Sequence, residues 1–263
     1  MKTQKIYQID AFADELFQGN PAAVCVMDSW LEDTLMQNIA MENNLAETAF
    51  VVKEEDHYHI RWFTPELEVD LCGHATLASA FVIFRYYQHA SDTIKFYSHR
   101  SGKLSVSKEH SGYLTLNFPT DTLQEVPTNP QMVEALGLSP LKTFKGKTDY
   151  LLIYANEEMI TSMKPNFFLL DKVEARGIIV TAPGKEVDFV SRFFAPQCGI
   201  NEDPVTGSAH TSLTPYWSKK LSKTELLAKQ LSQRGGTIRC TYLGDRVLIS
   251  GKAVPYLSGE IIL

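Results

Sequence analysis

No Cys-x-x-Cys pair occurs among the four cysteines, Cys25, Cys72, Cys198 and Cys240, so the usual signatures of a structural zinc site or a dithiol redox centre are missing. Four cysteines in 263 residues are also too sparse for a disulfide scaffold. No apolar run approaches the ~20 residues that span a bilayer; the longest covers about residues 80–84. The opening Met1-Lys2-Thr3-Gln4-Lys5 lacks the apolar core of a signal peptide. No basic block stands out, and 25 Lys and Arg against 31 Asp and Glu leave a net charge of −6, which argues against binding nucleic acid or a membrane by bulk charge. No Gly-x-Gly-x-x-Gly follows a strand and no phosphate loop is present, so no nucleotide cofactor is implied; a Gly-x-Ser-x-Gly nucleophile elbow is missing too. The expectation is a reduced, cytoplasmic protein without cofactor or metal.

What is present is a globular composition, 44% hydrophobic and 21% charged, and a chain that repeats itself. Arg61-Trp62-Phe63-Thr64-Pro65 returns as Arg192-Phe193-Phe194-Ala195-Pro196, at an offset of 131. Cys72-Gly73-His74-Ala75 returns as Thr206-Gly207-Ser208-Ala209, and Ser98, Arg100, Gly102 and Leu104 return as Ser232, Arg234, Gly236 and Ile238, both at an offset of 134. Three blocks in one order imply an internal duplication with a small insertion. The predicted domains are 1–122 and 123–263, joined in the proline-rich stretch 118–130. A last strand near 259–263 leaves room for the chain end to cross to the other domain.

Each half reads mainly as strands rich in β-branched and aromatic residues, among them 57–63, 93–98, 187–194 and 246–251. Helices are predicted at about 31–42, capped by Asp28 or Ser29, and from His74 to about Tyr87 and Ser208 to about Leu221. The second of these is apolar almost all round and should be buried; the third carries Pro215, which should kink or shorten it. The predicted fold class is α+β, two similar pseudo-twofold-related domains with curved sheet or barrel wrapped round a central helix.

Both central helices begin at a glycine junction, Leu71-Cys72-Gly73-His74 and Val205-Thr206-Gly207-Ser208. The first N–H groups of a helix have no internal partner and suit a carboxylate, and glycine lets a ligand approach the backbone. Two such junctions facing one cleft would bind a small anion between the halves. Tight helix–sheet packing alone also explains a glycine there. His57-x-His59 puts two imidazoles on one strand face without an evident third ligand, and reads as exposed strand.

Five linked segments, Gly19-Asn20-Pro21-Ala22-Ala23-Val24, Asn44 through Phe50, Arg61 through Pro65, Asp70-Leu71-Cys72-Gly73-His74-Ala75-Thr76 and Glu202 through His210, resemble the phenazine-biosynthesis (PhzF)-like family, from about Tyr7 to the chain end. The resemblance implies a diaminopimelate-epimerase-like fold, a cofactor-independent site at the domain interface and a homodimer. The family's founding enzyme isomerises a dihydro-hydroxyanthranilate. Carried over by motif, Glu47 takes the acid/base role and His74 lines the substrate pocket. Asp203 takes a polar and amine-binding role, Gly73, Gly207 and Ser208 contact the substrate carboxylate, and Asn20 is a weaker match.

The chemistry is compatible. Moving a proton between carbons needs one group that removes and returns it, and a carboxylate does so when partial burial brings its pKa toward neutrality. Glu47 precedes an apolar stretch and has no evident counterpart in the second half, where the aligned region is Glu174-Ala175-Arg176-Gly177 with uncertain register. Two other readings stay open. Cys72 could drive an epimerase or dehydratase, although its counterpart is Thr206 rather than a second thiol. The chain could also be a non-catalytic binder that kept only the anion junctions.

Overall fold

The computed structural model describes residues 2–263. The chain divides into two compact units, residues 1–117 with 250–263, and residues 118–249. In the first, β1 (Thr3–Ala11), β2 (Asn20–Met27), α1 (Asp33–Asn43), β3 (Glu47–Lys53), β4 (Tyr58–Phe63), β5 (Glu68–Val69), α2 (Gly73–Tyr86), β6 (Thr93–Ser98), β7 (Gly102–Lys108) and β8 (Leu114–Pro119) follow in order. The second holds β9 (Gln124–Val126), α3 (Pro130–Leu136), β10 (Lys142–Lys145), β11 (Asp149–Ile153), α4 (Glu157–Ser162), α5 (Phe167–Leu170), β12 (Gly177–Pro183), β13 (Phe189–Ala195), β14 (Ile200–Asp203), α6 (His210–Leu221), β15 (Glu225–Gln230), β16 (Gly236–Tyr242) and β17 (Arg246–Gly251). The chain returns to the first unit at Ser250, within β17, and continues there as β18 (Ala253–Ile262).

The two units share one wiring. In the first, β2 and β3 pair in parallel across α1, β3 and β4 are antiparallel, β5 folds back on β4, and β4 and β6 pair in parallel across α2. In the second, β11 and β12 are parallel across α4 and α5, β12 and β13 antiparallel, β14 folds back on β13, and β13 and β15 are parallel across α6. Parallel neighbours need a long crossover, which is why a helix sits in each of these four connections. The outer pairs match as well: β18 lies antiparallel to β1 in the first unit as β9 lies antiparallel to β10 in the second. Residues 250–263 therefore belong with the first unit, whereas the predicted boundary put them in the second.

The repeated arginine does the same work in each half. The Arg61 guanidinium makes a two-pronged contact with Glu68 of β5 at 2.8 and 2.9 Å, lies 5.1 Å from the Phe63 ring and donates to Asp33 at the start of α1 at 2.7 Å. Arg192 holds Glu202 of β14 at 2.7 and 2.9 Å, lies 4.9 Å from the Phe194 ring and donates to the Ile160 and Met163 carbonyls at the end of α4. Each fork thus ties a strand hairpin to the preceding crossover helix, and a bidentate arginine–carboxylate contact adds geometric specificity as well as energy. The shift in offset from 131 to 134 falls between these blocks, where the second unit inserts a short turn at Pro196–Cys198 ending on Gly199.

Helix α2 is buried on nearly every face: Ala75, Leu77, Ala78, Ala80, Val82 and Ile83 are all inaccessible. Small residues let the surrounding strands close on it, and each large aliphatic chain contributes on the order of 1.5–3 kcal/mol. Its two buried hydroxyls are satisfied within the helix, Thr76 on the Cys72 carbonyl at 2.6 Å and Ser79 on the Ala75 carbonyl at 2.7 Å. Helix α6 starts two residues later than predicted, after a tight turn in which the His210 N–H reaches the Gly207 carbonyl. It runs through Pro215 to Leu221 without stopping there. The proline has no N–H for the Thr211 carbonyl, and the Asp121 N–H supplies the missing donor at 3.2 Å while its carboxylate accepts from Ser212 Oγ at 2.7 Å. The cap of α1 is Glu32 rather than Asp28 or Ser29.

The matched registers settle the partner of Glu47. Thr48 faces Phe63 as Ile178 faces Phe194, so Glu47 corresponds to Gly177. A Cβ at Gly177 would lie 2.1 Å from the Phe193 ring. No side chain fits there, and the second unit has no carboxylate at this position. Gly177→Ala is expected to destabilise the protein by about 1–3 kcal/mol through overpacking, read as a lower urea midpoint; an unchanged midpoint would show that Phe193 yields without cost.

Candidate active site

Three elements of the first unit bring Glu47, His74 and Asn20 together. Glu47 opens β3 beside Ala22 of β2, and His74 is the second residue of α2. Asn20 opens β2, held by the tight turn at Gly19, whose φ of +67° and approach to the Ala11 carbonyl leave no space for a Cβ. His74 Nε2 lies 3.2 Å from Glu47 Oε2, and His74 Nδ1 lies 3.2 Å from the Asn20 amide. The side chains are nearly dry: 5% of His74 and 13% of Glu47 is exposed, and Asn20 is fully buried. Cys72, the cap of α2, places its sulfur 3.4 Å from Nδ1 and 4.0 Å from Nε2 of the same ring.

Burial by itself would draw the His74 proton off, but the Cys72 sulfur and the Glu47 carboxylate against the ring outweigh it and hold its pKa well above the ordinary histidine value. Burial, reinforced by the Glu47 charge, pushes the Cys72 thiol up to about 11. The contact with Glu47 thus favours a proton on the ring, and burial favours one on the sulfur. Asn20 suits either protonation state, because its amide presents an N–H to neutral Nδ1 or, turned over, its oxygen to the imidazolium.

The predicted residues of the second unit form a separate cluster. Asp203 ends β14, where its counterpart in β5 is Val69, and it accepts from Thr206 Oγ1 at 2.5 Å. Gln230 of β15 braces the junction: its oxygen accepts from the Thr206 N–H at 2.9 Å, and its amide donates to the Asp203 carbonyl at 2.8 Å and to Thr206 Oγ1 at 3.2 Å. Gly207 and Ser208 lie in the turn before α6. Ser208 Oγ accepts from both terminal nitrogens of Arg176 at 3.3 Å, while Arg176 grips buried Asp149. Ser208, the counterpart of His74, thus meets Arg176, the residue before β12, whereas His74 meets Glu47, the first residue of β3: a hydroxyl on a guanidinium in one unit, an imidazole on a carboxylate in the other. His210 and Thr76, also counterparts, both bond the carbonyl four residues back. Burial pulls the His210 pKa down to about 4, so it stays neutral.

Arg176, Asp149 and Gln230 were not anticipated. Gln230 carried a signal, as the polar residue at an inward position of an alternating strand that otherwise buries Leu226 and Ala228. A depression of about 360 Å³ lined by Ile6, Ala23, Leu45 and residues 257–261 includes none of these site residues. Among the described residues no helix is long and apolar enough to cross a membrane.

The profile of the phenazine biosynthesis-like protein family matches residues 9–259. The chain belongs to this family. It is 50% identical to an uncharacterized isomerase of Pseudomonas aeruginosa over 98% of both chains. A PhzF-family phenazine biosynthesis protein of Enterococcus faecalis superimposes with a TM-score of 0.97 at 48% identity, covering 100% of each chain. These likenesses support an isomerase. A hydroxyproline epimerase of Agrobacterium vitis, 6% identical with a TM-score of 0.64 over 98% of this chain and 92% of its own, shares the fold, which is that of the diaminopimelate-epimerase-like proteins.

In this arrangement the His74 Cε1 proton should titrate with a midpoint above ~6.5 and move down in Glu47→Gln, followed by NMR with His74→Asn for assignment. A histidine that binds its proton more tightly folded than unfolded stabilises the fold fully below the unfolded pKa, and that contribution fades as pH rises through the folded value. A midpoint at or below ~6.5 in both proteins would contradict the assigned charge.

Proposed function

We propose that this chain is a cofactor-independent isomerase that moves a proton between carbons of a small carboxylate, with Glu47 as the general acid/base. The observation that carries the reading is the Glu47–His74 contact at the start of α2, in a duplicated chain whose second copy of the position is Gly177. One carboxylate without a partner suits a one-sided proton transfer.

In the proposed reaction a Glu47 oxygen takes a proton from a carbon next to an electron-withdrawing group, and the electron pair shifts into the neighbouring π-system. The imidazolium of His74 stays against the carboxylate and offsets the negative charge that builds up nearby. Glu47 then returns the proton to the far carbon. One C–H bond breaks, one forms, and the double bond moves; no electron leaves the substrate. The N–H groups of Gly73 and His74 at the start of α2 are free of intrahelical partners and suit the substrate carboxylate. The same proposal gives Gly207 and Ser208 a share in that carboxylate, Asp203 an amine or hydroxyl, and Asn20 the alignment of His74.

The Cys72 reading has less support. A thiol pushed up to about 11 is a poor base near neutrality, and the hydroxyl of its counterpart Thr206 is committed to Asp203.

The decisive experiment is mass-spectrometric deuterium uptake in D₂O from a pool of small amino and hydroxy carboxylates, cyclic dienes included. Uptake into one compound, reduced by about 10²–10⁴-fold in Glu47→Gln with the fold intact and by less than about tenfold in Cys72→Ala, is the expected result. Uptake that survives Glu47→Gln but stops on alkylating Cys72 would transfer the chemistry to the thiol.

A further inference from the structure

The same three side chains have a property that proton transfer does not use. One ligand atom from each of Glu47, Cys72 and His74 lies within 4.8 Å of the other two. His74 Nε2 is 3.2 Å from Glu47 Oε2 and 4.0 Å from Cys72 Sγ. Around a tetrahedral zinc ion, bonds of about 2.0–2.3 Å put neighbouring N, O and S ligand atoms roughly 3.3–3.6 Å apart. The observed separations bracket that range. Glu47 Oε2 is buried and, despite its proximity to Nε2, meets no hydrogen-bond alignment with any group. Cys72 Sγ lies nearer to Nδ1, at 3.4 Å, than to Nε2, so ligation beside Nε2 requires the thiol to turn toward Glu47.

We propose that Glu47, Cys72 and His74 form a three-ligand site for a soft divalent cation of the Zn²⁺ class, and that its occupation blocks isomerisation by removing the acid/base carboxylate. The blocking clause rests on the role proposed for Glu47; the binding clause does not.

Charge decides whether such an ion is tolerated. A thiolate, a carboxylate and a neutral imidazole carry −2 and cancel the cation, so the buried cluster becomes neutral. The start of α2 opposes the ion with roughly half a positive charge, which two full negative ligands exceed. Ion entry expels the thiol proton, and the Nε2 proton where the ring carries one, to solvent, and three metal–ligand bonds form without any change of oxidation state. Asn20 supports the new state through Nδ1, since its amide oxygen can accept the N–H that a ligating imidazole keeps on its other nitrogen. Three protein ligands leave a fourth position for water, the arrangement of open zinc sites.

A second group of donors tests the specificity of the assignment. Glu54 lies 3.1 Å from His57 Nε2 and 3.5 Å from His59 Nδ1 on the other side of β4, with more exposed side chains and no thiol. Carboxylate and imidazole without sulfur make a weaker match to a soft ion.

The test uses the full chain, reduced and stripped of metal, titrated with Zn²⁺ by calorimetry and with Co²⁺ by absorption spectroscopy, both without substrate. The expected result is one ion per chain, a thiolate-to-cobalt band in the near ultraviolet, and proton release seen as a buffer-dependent heat. Cys72→Ser and the isosteric Glu47→Gln should each weaken Zn²⁺ binding by at least about tenfold, while Cys198→Ser and His57→Asn leave it unchanged. Loss of binding in His57→Asn but not in Cys72→Ser, or no stoichiometric ion in the folded wild type, overturns the proposal. With a substrate in hand, Zn²⁺ should abolish deuterium uptake and EDTA should restore it. Stoichiometric Zn²⁺ with unimpaired uptake would overturn the blocking clause, whereas full uptake in metal-free Glu47→Gln would overturn the role of Glu47 and leave the ion site standing.

Discussion

A carboxylate and an imidazole held 3.2 Å apart, almost out of water, are the constraint around which the first unit is arranged. Neither charge would be tolerated alone at that depth. Together they need a strand start that delivers Glu47, a helix start that delivers His74, and a second strand start that delivers Asn20 to the far side of the ring. All three lie where strands begin or a helix begins, so their backbones are fixed by sheet pairing and helix packing rather than by a loop. The inaccessible α2 makes this rigid, since a shift of His74 would have to move a helix whose sides are filled.

The duplication explains both the economy and the asymmetry of the molecule. Each unit repeats the crossover wiring and the arginine fork, which set the framework. The divergence is concentrated at the junctions. Glu47 corresponds to Gly177, His74 to Ser208, Cys72 to Thr206 and Val69 to Asp203. A symmetric pair of bases is thereby lost, and a carboxylate–imidazole junction is left in one unit and a guanidinium–hydroxyl junction in the other. That distribution suits a reaction with a direction better than one that inverts a stereocentre through two equivalent groups.

Much of this was legible in the residues. Strands 93–98 and 246–251 lie where their β-branched and aromatic residues placed them, and α2 starts one residue before His74. Other elements escaped for physical reasons. β2 is buried on both faces and carries a proline at its second position, so it shows no alternation. β15 is built from Glu, Leu, Ala, Lys and Gln, good helix formers overridden by sheet pairing. The short helices α3, α4 and α5 carry only an asparagine cap each, at Asn129, Asn156 and Asn166, and the first lies in a stretch whose prolines read as linker. The first-unit cluster was foreseen by motif, yet its closeness was not, because Asn20, Glu47 and His74 are separated by pairing registers that only folding fixes. Arg176 escaped altogether: its neighbour Ser208 is 32 residues away, and nothing local distinguishes it from a surface arginine.

The central claim is that one carboxylate carries the proton. Chemical rescue tests it most directly: Glu47→Ala would be assayed for deuterium uptake into the responsive substrate while formate or acetate is added. The account predicts an inert variant that regains exchange in proportion to added carboxylate. Exchange at the wild-type rate with no side chain at position 47, and no response to carboxylate, would contradict it.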